Sequence, residues 1–259
     1  MATTEPLTEQ AEVNSVSNYE EFSLVYDRLT EDVDYKARAD YIEGIFAKHS
    51  GTKPELIADL ACGTGSMCIE LDSRGYDMIG IDASADMLDV AMKKSEGRNI
   101  LYLNQDICDF ELYGTVDAAL CLLDSINHLT EDGDLDSLFS LFKNYLNPKG
   151  LFIFDVNTKY KFEEILSDNI YTYETDDVFY SWENSYEDGI CDMYVNFFVK
   201  EGDTYRRIIQ EHSERYYSHE DISSLASKYG FEVLGVYGEL TFDKPKDDCQ
   251  REFWVLKKV

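Results

Sequence analysis

The stretch Ile57-Ala58-Asp59-Leu60-Ala61-Cys62-Gly63-Thr64-Gly65 carries one acid through an apolar run and straight into a G-x-G loop. Such a run reads as a strand buried on both faces, and small residues at its end let a nucleotide-like cofactor lie against bare backbone. From Leu56 the chain alternates strand and helix. Leu56 to Ala61 is the first strand, Ser66 to Arg74 a helix stopped by Gly75, and Met78 to Ile81 the second strand. Ser84 is placed to cap a helix bearing Met87, Leu88, Ala91 and Met92, and further strands are expected at Ile100 to Leu103, Ala118 to Leu123 and Leu151 to Val156. A helix carrying Leu135, Leu138, Phe139, Phe142 and Leu146 precedes the turn Asn147-Pro148-Lys149-Gly150. Strands regularly separated by helices predict a doubly wound, Rossmann-like α/β sheet.

The flanks divide the chain. Residues 1–17 are polar, without the apolar stretch of a signal peptide, and read as a flexible tail. Tyr19, Phe22, Tyr26 and Leu29 recur at helical spacing, and a second helix from Asp34 sets Tyr35, Ala39, Ile42 and Phe46 on one face. These helices and the cofactor-binding part of the core occupy residues 18–157. Across 158–217 the texture changes to a short helix near Phe162 to Leu166 and three aromatic-rich runs, Val178 to Tyr186, Ile190 to Lys200 and Thr204 to Tyr217, joined by Glu187-Asp188-Gly189 and Glu201-Gly202-Asp203. That is an antiparallel β insertion after the fifth strand. Over 218–259, Ser218 with Asp221 forms a capping box, and Phe231 to Tyr237 and Glu252 to Leu256 close a seven-strand sheet with an antiparallel hairpin.

Ligands of such sheets bind at the carboxyl ends of the strands. In the nicotinamide fingerprint a third glycine lets helix and strand approach, whereas Cys68 stands at that place here, which weakens the dinucleotide reading. Three acids replace it. Asp59 can face a cationic group of a cofactor, Asp82 ends the second strand where an acid accepts ribose hydroxyls, and Asp106 follows the third strand, within reach of an adenine amino group.

Asp59 to Gly65, Gly80-Ile81-Asp82-Ala83-Ser84 with Asp86-Met87-Leu88, and Gln105-Asp106-Ile107 together make the sequence resemble the class I S-adenosylmethionine-dependent methyltransferases, particularly small bacterial enzymes with a single catalytic domain. The resemblance covers residues 19–157 well and the terminal hairpin more loosely. It implies that backbone around Ala61, Gly63 and Gly65 approaches the methionyl part of S-adenosylmethionine, Asp82 the ribose, Ala83 and Met87 the adenine surroundings, and Asp106 and Ile107 the adenine edge. Leu122 would lie beside the cofactor, with Asp124 to His128 facing the transferred methyl.

Methyl transfer from a sulfonium needs chiefly positioning and exclusion of water. For an amine or phenol acceptor a base is needed as well, and His128 and Tyr26 are the candidates. The insertion is the expected source of specificity, through Trp182, Tyr194, Arg207, His212 and Arg215, with Asn127 a further substrate contact. Strand alternation sets His212 and Glu214 on one face and Glu211, Ser213 and Arg215 on the other, an arrangement a charged cross-strand ladder would also explain. Arg251 is able to anchor an anion or to pair with a neighbouring acid.

Composition narrows the partners. With 23 Lys+Arg against 52 Asp+Glu the net charge is -29, which repels nucleic-acid backbones and anionic lipid. The six cysteines are scattered without a C-x-x-C pair and read as reduced core residues. A cytoplasmic monomer or homodimer acting on a small-molecule acceptor is expected, with no metal and no membrane partner, and S-adenosylhomocysteine as the second product. An RNA-directed methyltransferase, a nicotinamide oxidoreductase and a non-catalytic S-adenosylmethionine-binding module remain alternatives.

Overall fold

The computed structural model describes Tyr26, Asp27, Thr30 and residues 33–259; the tail over 1–17, and the part of the first helix that rests on Tyr19, Phe22 and Leu29, lie outside the described residues. Helix α1 (Tyr35–His49) starts where the Asp34 carboxylate accepts the Ala37 N–H at 2.8 Å. The alternation then follows as β1 (Leu56–Leu60), α2 (Ser66–Ser73), β2 (Asp77–Asp82), α3 (Ala85–Lys94), β3 (Leu101–Asn104) and β4 (Val116–Cys121). After a short helical turn (Ser125–His128) come α4 (Asp134–Tyr145) and β5 (Leu146–Asn157). The expected turn at Asn147 to Gly150 is taken up inside β5 as an irregularity of its pairing with β4, with Lys149 in the left-handed region at φ 67°.

One π-helical turn (Lys161–Leu166) leads into β6 (Ile170–Glu174), β7 (Val178–Glu187), β8 (Ile190–Glu201) and β9 (Thr204–Arg215), and then α5 (His219–Tyr229), β10 (Phe231–Gly238) and β11 (Arg251–Lys258) complete the chain. The main sheet has the order β10-β11-β5-β4-β1-β2-β3. Its pairings from β3 to β5 are parallel, and β11 runs antiparallel to both β5 and β10. The seven-strand sheet with a terminal antiparallel hairpin is therefore present. The insertion is a separate antiparallel sheet in the order β6-β7-β8-β9, with one strand more than the sequence announces. All five residues of β6 are exposed, so no alternation of apolar and polar residues marks it.

Both faces of the main sheet are covered, which is why its central strands read as continuous apolar runs. On β5, Phe152, Phe154 and Val156 pack with Leu138 and Phe139 of α4 and Ile222 of α5. The alternate residues Leu151 and Ile153 pack with Ile42 and Ile45 of α1 and Leu71 of α2. All six cysteines are free thiols, with Cys68, Cys121 and Cys191 buried. Among the described residues no helix is long and apolar enough to cross a membrane.

Candidate active site

Strand order reverses at β1, which pairs with β2 on one side and β4 on the other, and a cavity of about 450 Å³ opens at the carboxyl ends of β1 and β4. Its floor is the G-x-G loop. Ala61, Gly63 and Gly65 all have positive φ, at 51°, 54° and 73°, so the chain turns sharply and leaves backbone uncovered. The Asp82 carboxylate fixes this loop to β2: one oxygen accepts the Gly63 N–H and the other the Ser84 N–H, each at 2.8 Å. Burial raises its pKa against the effect of those two bonds. Each carboxylate oxygen keeps a further lone pair, which suits it to ribose hydroxyls.

Asp59, 3% exposed, lines the cavity and accepts the Cys68 thiol hydrogen. Burial, with Asp82 adding to it, pushes its carboxyl up to about 7. A buried acid of this kind ionises readily only beside a cation, the role expected of it toward the cofactor's charged groups. Tyr26 lies over the loop, 3.9 Å from where a Gly63 Cβ would stand. Its neighbour Asp27 accepts the Thr64 hydroxyl at 2.5 Å and pairs with Lys94 at 2.7 Å. Burial pushes the Tyr26 phenol far above its usual range, so it is protonated at neutral pH.

The remaining cofactor candidates sit differently. Leu122 lines the cavity. Gly65 faces inward, where an added Cβ would stand 2.5 Å from the Tyr102 hydroxyl, so its glycine serves packing between the loop and β3. Ala83 and Asp106 are exposed and Met87 and Ile107 buried, and none of these four lines the cavity.

A second cavity of about 270 Å³ adjoins the first, and Asp124, His128, Lys161 and Trp182 line both. The insertion contributes Tyr180, Phe197 and Glu214 to its wall. The junction is held by an ionic frame. Leu123 and Asp124 both adopt positive φ, at 58° and 55°, and their N–H groups donate to the two oxygens of the fully buried Asp155 at 2.7 and 3.0 Å. Arg251 bridges Asp155 at 2.9 Å and Asp124 at 2.5 Å, which decides between its two sequence readings in favour of pairing. Asn157 donates to Asp124 at 3.0 Å and to Glu214 at 2.6 Å while accepting from Lys161 at 2.9 Å.

Within that frame the titratable groups diverge. Burial alone would raise Asp124, but Arg251, Lys161 and His128 hold it well below the usual carboxylate range. Glu214, 5% exposed, is raised by burial and by the charge of Asp124. His128 is reached by solvent but sits in a concave wall of protein; that burial lowers its pKa, opposed by Asp124 and by a bond to the Ser213 carbonyl. Its ring is therefore neutral at neutral pH, and with one nitrogen donating to that carbonyl the other is an acceptor.

Two expected substrate contacts, Asn127 and Arg215, do not line either cavity. Asn127 is fully buried, its Oδ1 accepting the Asn157 N–H and its Nδ2 donating to the Arg215 carbonyl, so it braces β9 against β5. Arg215 donates to Asp132 at 3.0 Å in a separate surface cavity beside α5, because strand alternation turns it away from the face that carries Glu214. Tyr194 and Arg207 bond one another, and Arg207 also binds Asn196. Asn157, Lys161 and Asp155 were not singled out in the sequence because none lies in a motif; only the closing of β5 against β9 and β11 brings them to the cavity.

Comparison with known proteins agrees with this geometry. Residues 57–150 match the family model described as a methyltransferase domain. A Bacillus subtilis (strain 168) protein named as the methyltransferase YqeM is 30% identical over 244 residues, 93% of this chain and 97% of that protein. The chain belongs to the S-adenosylmethionine-dependent methyltransferases. Among solved structures, an S-adenosylmethionine-dependent methyltransferase from Clostridium acetobutylicum ATCC 824 superposes with a TM-score of 0.85 at 33% identity, covering 93% of this chain and 98% of that one. A glycine/sarcosine N-methyltransferase of Halorhodospira halochloris is 24% identical over 88% of this chain and 84% of its own length. The cofactor of this methyltransferase is S-adenosylmethionine, and the nicotinamide and non-catalytic alternatives fall away.

Proposed function

We propose that this methyltransferase acts on a nitrogen of a small-molecule acceptor seated in the cavity between the main sheet and the insertion. The observation that carries the reading is the meeting of Asp124, His128 and Glu214 where the two cavities join. Fit to the cofactor rests on the uncovered backbone at Gly63 and on two acids, Asp59 and Asp124, lining the larger cavity. When bound, S-adenosylmethionine supplies a methyl group on a positive sulfur, and transfer to a neutral amine exchanges one C–S bond for one C–N bond, the electron pair staying on sulfur.

The protein's own contribution is positioning and proton handling. Asp59, Ala61, Gly63, Asp82 and Leu122 hold the cofactor, with Gly65 shaping the loop and Ala83, Met87, Asp106 and Ile107 in the adenine surroundings. An amine arrives at neutral pH as ammonium and must lose a proton before it can attack. Neutral His128 is placed to take it, and Asp124 stabilises the imidazolium so formed. Trp182, Tyr180 and Phe197 keep water from the reacting atoms. A name ending in N-methyltransferase, on the relative from Halorhodospira halochloris, supports nitrogen as the acceptor atom.

The test is to incubate the enzyme with labelled S-adenosylmethionine and a panel of amines, alcohols and thiols, locating the methyl group by mass spectrometry. N-methylated product is expected, and His128→Asn should lower turnover by about 100-fold or more. Methyl groups found only on oxygen or sulfur would sink the proposal.

A further inference from the structure

Resting on the nitrogen reading above, we infer that Asp124, His128 and Glu214 form a tripod that binds the acceptor as an ammonium ion whose apolar body carries no carboxylate. One oxygen or nitrogen from each of the three residues lies within 4.8 Å of the others. For any three points so spaced there is a position within about 2.8 Å of all of them, the length of a charge-assisted N–H···O bond. A primary ammonium has three N–H donors to set against those three acceptors.

The same triad would also admit a metal ion, but its surroundings favour a monocation. Asp124 Oδ2 accepts from Arg251 at 2.5 Å and from Asn157 at 3.0 Å, and lies 3.6 Å from Lys161. A dication there would face two fixed positive charges and find one of its carboxylate ligands already engaged. An ammonium carries half that charge and needs a single lone pair from each partner.

What excludes an amino acid is the use already made of the cations. A carboxylate beside the amine calls for an arginine or lysine with donors to spare. Arg251 spends its guanidinium on Asp124 and Asp155, and Lys161 holds Asn157 and lies beside Asp124. Among the described residues no other Arg or Lys lines the smaller cavity, and a carboxylate would confront Glu214 and Asp124. Beyond the tripod the wall is mainly apolar, with Leu166, Val195, Phe197, Tyr180 and Trp182 beside His212, which suits a compact apolar ring and, through the aromatic faces, a cation. The site therefore differs in substrate class from the glycine and sarcosine that the Halorhodospira halochloris relative's name states for that enzyme.

Three small probes decide it: benzylamine, phenylglycine, which is the same amine bearing a carboxylate, and benzyl alcohol, which lacks the charge. Each is titrated calorimetrically into the full chain saturated with S-adenosylhomocysteine. Benzylamine is expected to bind at least about tenfold tighter than either of the others. In Glu214→Gln its advantage over benzyl alcohol should shrink by about 10- to 100-fold while S-adenosylhomocysteine still binds. Phenylglycine binding as well as benzylamine, benzyl alcohol matching it, or no binding of benzylamine overturns the inference. Manganese, titrated alone and followed by electron paramagnetic resonance, should remain free; micromolar binding abolished by Glu214→Gln would assign the tripod to a metal. N-methylation of phenylglycine in preference to benzylamine overturns the inference alone, whereas methylation of the alcohol with none of either amine overturns the nitrogen reading itself.

Discussion

Asp59 shows how much one residue's surroundings decide. In sequence it is an acid inside an apolar strand; in the structure it is 3% exposed and accepts the Cys68 thiol hydrogen. Its carboxyl is pushed up to about 7, chiefly by burial. A cationic group of the cofactor prefers the ionised form, so affinity for S-adenosylmethionine is full above that value and falls as pH drops through it, by about tenfold per pH unit once Asp59 is protonated. Calorimetric titrations on either side of neutrality read this directly, and Asp59→Asn should flatten the profile; an unchanged affinity in the wild-type protein down to pH ~5 would remove Asp59 from cofactor recognition. Residues of this kind were legible because the motif is contiguous. Glu214 and Asn157 lie 57 positions apart and Asp124 and Arg251 lie 127 apart, so the hydrogen-bonded frame that they build has no local sequence signature. Alternation along β9 did correctly separate Glu214 from Arg215, but it could not say which face meets the cavity.

At the scale of elements, the signals that survived are those written in backbone chemistry. Ser84 accepts the Met87 N–H, and Ser218 with Asp221 makes the reciprocal box at the start of α5. β6 escaped because an edge strand with every residue exposed has no periodicity to read. The link between β1 and α2 depends on a glycine for two separate reasons. Gly65 has φ 73°, and a Cβ there would stand 2.5 Å from the Tyr102 hydroxyl on β3 and 3.0 Å from Ala91 on α3. Gly65→Ala is expected to destabilise the fold by about 2–4 kcal/mol, since left-handed backbone strain adds to overpacking between rigid elements. Urea denaturation measures this as a lowered midpoint at unchanged slope. A variant as stable as the parent would mean that β3 and α3 yield to the methyl group. Arg251 at the start of β11 is a second such joint: Arg251→Met leaves the fully buried Asp155 without its ion-pair partner and Asp124 with Lys161 alone, and should cost about 3–5 kcal/mol in the same experiment.

The whole molecule places a cofactor cleft, which the alternating core announces, beside an insertion sheet whose β9 supplies Glu214 to the smaller cavity, the proposed seat of the acceptor. The insertion's existence was readable from its turns and aromatic runs, but its placement beside the site was not, because nothing local tells a sheet which neighbour it will pack against. Net charge acts at this same scale. At -29 the protein surrounds itself with a negative potential that repels RNA and draws in cations. An ammonium acceptor should therefore reach the cavity faster than a neutral analogue, and the advantage should be lost as salt screens the field. Raising ionic strength from about 0.01 M to about 0.3 M shortens the Debye length from about 30 Å to less than about 8 Å, so kcat/KM for a cationic amine should fall several-fold while that for a neutral acceptor of the same shape holds steady. Steady-state kinetics across a salt series make the comparison. Equal salt dependence for the two acceptors would mean that the charged surface plays no part in delivery, and that selection for the amine rests on Asp124, His128 and Glu214 alone.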